Sequence, residues 1–155
     1  METLYTGQVV ELSLSKRKLE LLKANENTEE NDIRLAKDID NEELESTTKD
    51  DIIQIRKLIR ETGREIHKMK GFVRLKQLGE NAKCGYIKPK HNVGSMVTDW
   101  FAKRFPGDVI VLGNEEISWI SVYAEEGITH ETGESLEKTL ENLKEHLEIE
   151  EEIDL

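Results

Sequence analysis

Apolar positions along the chain alternate between runs with a helical period and runs with a strand period. The longest helical run is 49–70, where Ile52, Ile55, Ile59, Ile66 and Met69 fall on one face. Asp50 and Asp51 suit the positive end of that helix, Lys68 and Lys70 suit its negative end, and Gly71 is placed as the residue that stops it. FVRLKQL (72–78) then alternates as a strand does, with Val73, Leu75 and Gln77 pointing one way and Arg74 and Lys76 the other. GENA (79–82) has turn chemistry, and KCGYIK (83–88) completes a hairpin that Pro89 ends. Asn92 is a good N-cap for a helix over 93–105. Val93, Met96, Val97, Trp100 and Phe101 recur there at i, i+3, i+4, i+7 and i+8, and Pro106-Gly107 stops it. VIVL (109–112) reads as a short buried strand, Gly113-Asn114 as a turn and ISWISVY (117–123) as a fourth strand. Residues 127–133 read as a loop. Ser135 caps a last helix, along which Leu136, Leu140, Leu143 and Leu147 form a stripe.

The first third of the chain is less regular. A short strand is expected around Val9–Val10. Ser15 begins a helix with Leu19, Leu21 and Leu22 on its apolar edge, running to about Ala24. NENTEEND (25–32) reads as a loop, and Ile33, Leu35, Ile39 and Leu44 place a short amphipathic helix after it. The pattern as a whole is an α+β fold: a four-stranded, mainly antiparallel sheet in the order β-β-α-β-β, with N-terminal helices and a C-terminal helix. The 93–105 helix is expected on one face of that sheet. The domain reading is an acidic, partly mobile helical region over 1–48, a core over 49–147 and an acidic tail over 148–155.

Charge changes this picture. The chain has 155 residues and a formal net charge of −11. Residues 1–51 carry −7, residues 52–107 carry +9 and residues 108–155 carry −13. A basic middle therefore lies between two acidic flanks, and a local basic patch is what a polyanion meets. On the long helix, Arg56, Arg60 and Arg64 share one stripe with Lys57 and Lys68 beside it, a spacing at which like charges repel. Arg56, Arg60, Arg64 and Lys68 with His67, Arg74, Lys76, Lys88, Lys90 and His91 make a candidate nucleic-acid-binding face. Phe72 and Tyr86 are the aromatic residues available for stacking on bases.

Other chemistry has less to stand on. There is no phosphate-binding glycine loop, no CxxC, no HExxH and no GxSxG, so no cofactor is expected. His67, Cys84 and His91 are the one set that suits a metal-binding or hydrolytic alternative. A single cysteine and the absence of a spanning apolar run or signal segment fit a cytoplasmic protein without a membrane partner. The acidic helix 135–147 gives a third reading, a protein–protein adaptor that seats a basic partner. Its leucine stripe over 136–147 is also a candidate homodimer seam.

Two blocks, EIHKMKGFVRLKQL and YIKPKHNVGSMVTDWFAKRFPG, carry a resemblance. The chain resembles domain-of-unknown-function family 4130, whose members typically read EAHRMKGFVRF, then a tyrosine-containing strand, then PDHNV and HFAxRFP. The resemblance covers about residues 52–123. It implies a probable DNA-metabolism protein, since such domains occur beside radical-SAM proteins or joined to uracil-DNA-glycosylase-like domains. DNA or a DNA-repair enzyme is the partner so implied, and the leading expectation is a non-enzymatic accessory module. His67, Lys70, Gly71, Phe72, Arg74, Pro89, His91, Asn92, Phe101, Arg104, Phe105 and Pro106 match the pattern. Trp100 stands where the family has histidine, and Glu115 and Glu116 stand where it carries basic residues.

Overall fold

The computed structural model describes residues 13–146, together with the backbone of two short strands, β1 (Leu4–Tyr5) and β2 (Gln8–Val9), which pair antiparallel. The chain divides into two compact units, residues 1–65 and residues 66–155.

The first unit is helical. Helix α1 (Lys16–Ala24) starts at Ser15, whose hydroxyl accepts from the Lys18 amide at 3.2 Å. Where one short helix was expected there are two, α2 (Glu30–Ala36) and α3 (Asn41–Ser46). Two local acceptors account for both starts: the Asp32 carboxylate takes the Glu29 amide at 2.9 Å, and the Asp40 carboxylate takes the Glu43 amide at 2.8 Å. Ile39 lies in the link and is still buried. The core of this unit is Leu14, Leu22, Ala36, Ile39 and Leu44 with Ile52, Ile55, Leu58 and Ile59. The last four come from helix α4 (Asp50–Phe72). Asn25 is buried with them, and its amide donates to the Leu58 carbonyl at 3.0 Å.

Helix α4 runs on through Gly71 and Phe72, so Gly71 is not the left-handed stop that the sequence implied. The Val73 amide still reaches the Met69 carbonyl at 3.0 Å. The following strand is correspondingly short: β3 is Lys76–Leu78, not 72–78.

The second unit is a five-stranded sheet with a helix on each face. Its strands are β3, β4 (Ala82–Tyr86), β5 (Val109–Gly113), β6 (Ser118–Ala124) and β7 (Gly127–Gly133), in that spatial order. The expected four-stranded, mainly antiparallel sheet is a five-stranded mixed one, and two features make the difference. First, β4 and β5 run parallel, while the other three neighbouring pairs are antiparallel. The connection between β4 and β5 contains helix α5 (Gly94–Arg104), and a helical crossover returns the chain in the same direction. Second, the segment read as a loop is strand β7. It follows a two-residue turn, Glu125-Glu126, closed by Gly127 at φ +111°.

Helix α5 packs on β5 and β6, burying Val97, Phe101 and Ala102, with Ile110, Leu112 and Trp119 also in the core. Gly94 is needed for this approach: a Cβ there would lie 2.1 Å from the Trp119 ring. Asn92 does not cap α5, since the N-cap position is Val93 without a side-chain bond. At the far end, Gly107 has φ +86°, in keeping with the expected stop. Helix α6 (Leu136–His146) covers the other face, starting at Ser135, whose hydroxyl accepts from the Lys138 amide at 3.2 Å. Its Leu136 and Leu140 join Leu78, Ala82, Cys84 and Val111 in one cluster, with Leu143 partly buried beside them. These leucines are part of the unit's own core rather than a free dimer seam, and Leu147 lies outside the described residues. The buried Asn114 ties the sheet end together. Its amide donates to the Ile87 carbonyl at 2.9 Å, and its backbone carbonyl accepts from the Leu136 amide at 2.8 Å. No helix among the described residues is long and apolar enough to cross a membrane.

Candidate nucleic-acid interface

The basic residues divide between the two units. In the first, Arg60 and Arg64 are exposed on α4, while Arg56 is half-buried and has a structural task. Its guanidinium donates to the Glu45 carbonyl at 3.1 Å and the Thr47 carbonyl at 3.4 Å, closing the open C-terminal end of α3.

In the second unit, residues 66–107 hold nine lysines and arginines against two acids, Glu80 and Asp99. His67, Lys68, Arg74, Lys76, Lys90, Lys103 and Arg104 are exposed. Two other cations are engaged by carboxylates. Lys83 pairs with Asp108 and lies over the Phe105 ring at 4.5 Å, which fixes it against the sheet. Lys88 pairs with Glu115, which also accepts from the Tyr86 hydroxyl at 2.7 Å. This pair of bonds, Lys88 first, holds the Glu115 carboxyl at about 2. Tyr86 is 54 % exposed, so this small network sits on the surface.

Trp100 has the most distinctive surroundings. Lys70 Nζ lies 4.8 Å from the centre of its ring and the Arg104 guanidinium 5.6 Å from it, so two cations attend one indole. Phe101 meets Trp100 edge-on, with ring centres 5.0 Å apart and an interplanar angle of 84°. Phe101 is buried on α5, and this contact braces an indole that is itself partly buried. The hydrophobic period assigned Trp100 to the core face, which hid this role. The i, i+4 spacing of Trp100 and Arg104 was the signal that could have shown it. Phe72, at the end of α4, is 70 % exposed.

The alternative set is not drawn together. Among the described residues no group of three or more His, Cys, Asp or Glu side chains is placed to hold a metal ion. Cys84 is buried in β4 under α6, and that burial pushes its thiol up, partly opposed by the Lys76 charge. His91 is buried just before α5, whereas His67 is exposed on α4. A second polar cluster went unread in the sequence. Asp99 on α5 accepts from the Ser121 hydroxyl at 2.5 Å and lies 3.1 Å from the His130 ring. Ser121 is fully buried, so the cluster ties α5 to β6 and β7 and does not present a nucleophile.

The family described as a domain of unknown function, DUF4130, matches residues 25–153, well beyond the two blocks that carry the resemblance. No curated protein and no solved structure matches the chain.

Proposed function

The chain belongs to domain-of-unknown-function family 4130, and on that premise we propose that it is an accessory module of DNA metabolism that binds nucleic acid through its basic middle segment. The observation that carries this reading is the Trp100 site. A braced, partly buried indole flanked by Lys70 and Arg104 combines a stacking surface for a base with charge for the adjoining phosphates. Exposed Phe72, Lys68, Arg74 and Lys76 in the same unit extend this chemistry. Arg60 and Arg64, exposed in the first unit, offer phosphate-contacting charge of their own, which carries no base information. Stacking on an indole needs a base face that is not already stacked in a duplex, so the ligand this favours is a single strand.

Fluorescence anisotropy of labelled single-stranded and duplex oligonucleotides tests this with the full chain at low salt. The single strand should bind more tightly, and its affinity should fall log-linearly with salt. Trp100→Ala should weaken it by about 5- to 150-fold, the worth of about 1–3 kcal/mol for one stacked base. Arg60→Glu combined with Arg64→Glu should weaken binding and flatten the salt dependence. No measurable binding by the wild type at low salt would overturn the reading.

A further inference from the structure

Strand β7 is the last strand of its sheet. It pairs with β6 along its full length, from Ser118↔Gly133 to Ala124↔Gly127, and no described residue pairs with its other side. A seven-residue strand with one open edge presents a row of backbone donors and acceptors, a template for one more strand. Beside that edge lies a groove of about 400 Å³ between β7 and α6. Ile120 and Leu143 give it an apolar lining, while Glu131, Glu134 and Asn142 line it with polar groups. The surrounding chain is strongly acidic, with seven acidic and two basic residues over 124–146, and Lys138 already pairs with Glu134.

We propose that the β7 edge and this groove dock an extended, lysine- or arginine-bearing segment of a protein partner, added as a sixth strand. Charge selects the occupant. A second copy would bring the same acidic surroundings, with Glu131 on the strand itself, and like charge disfavours that approach. The chain's own residues 148–155 carry five acids and meet the same objection. A cationic strand is attracted instead: its backbone completes the sheet, and the basic side chains on its α6 face meet Glu131, which shares that face with Ile120, while their aliphatic stems lie along Ile120 and Leu143. The acids that keep the edge from self-association thus become its specificity. This site is separate from the Trp100 site and does not rest on the nucleic-acid reading.

The test uses the full chain and a labelled peptide alternating lysine with valine. Its controls are the glutamate counterpart and two lysine peptides N-methylated on alternate backbone nitrogens, one for each alternating set. The lysine peptide should bind and the glutamate peptide should not. One methylated version should lose about tenfold or more in affinity while the other keeps it, because only one set of amides faces a neighbouring strand. Glu131→Lys should weaken the lysine peptide about tenfold, with an unchanged circular dichroism spectrum. Equal binding of both methylated peptides and the parent would mean adsorption to an acidic surface and would overturn the proposal. Absence of lysine-peptide binding would overturn it as well.

Discussion

Glu115 shows how one side chain sets the charge presented by its neighbours. Its carboxyl sits at about 2 instead of 4.5, chiefly because Lys88 and then Tyr86 hydrogen-bond to it. Tyr86 is raised in turn, first by its bond to Glu115, since accepting the phenolic proton stabilises the protonated form. The sign for stability follows from the lowered carboxyl. The contribution is present above about 4.5 and is lost as pH falls through about 2. It remains small and salt-sensitive, because all three groups stand in solvent. Glu115→Gln should therefore release the Lys88 charge to the surface and tighten oligonucleotide binding. It should also move the Tyr86 phenol down towards its ordinary range, followed by NMR titration. Unchanged oligonucleotide affinity would place Lys88 outside the binding face. Not all of this scale could be read from the sequence. The exposure of Arg60, Arg64 and Lys68 follows from the helical period, and the structure agrees. The bonds of Arg56 to the carbonyls of Glu45 and Thr47 do not, because they join residues nine or more positions apart across a turn that no local pattern fixes.

At the scale of elements, the helices with strong apolar periods were legible to within a few residues, and the misses have physical causes. Strand β7 lacks the alternation of a half-buried strand: every residue from Thr129 to Thr132 is exposed, because an edge strand has little to bury. Its entry turn carries two glutamates where hairpin turns usually announce themselves with asparagine or glycine, and only Gly127 marked it. Gly71 looked like a helix stop, yet glycine permits a left-handed end without requiring one, and α4 continues through it. Gly94 is the opposite case, a glycine whose reason appears only in three dimensions. Its absent side chain lets the first turn of α5 lie against Trp119. Gly94→Ala should cost roughly 1–3 kcal/mol by overpacking. Denaturant unfolding should show a lowered midpoint with an unchanged slope, whereas wild-type stability would mean that the Trp119 ring shifts freely.

At the scale of the whole molecule, neither compact unit is basic: residues 1–65 carry −5 and residues 66–155 carry −6. Attraction to a polyanion therefore acts over a short range, through local groups such as Lys70 and Arg104, and fades with salt. The α+β class, the order of the main elements and the basic segment were legible in the sequence. The direction of β4 against β5 was not, since strand pairing across a helix is a long-range choice that side-chain alternation leaves open. That parallel seam has a kinetic consequence. The β3–β4 hairpin and the β5–β6–β7 meander are each closed by turns of a few residues, so both form from local encounters. Joining them requires the loop from Ile87 to Asp108 to close with α5 in place, a slower and more costly event. The seam is then the last part of the sheet to assemble. Val111, fully buried and paired with Cys84 across it, should report this. Val111→Ala should speed unfolding while leaving the folding rate nearly unchanged, and a slowed folding limb would instead place the seam in the nucleus.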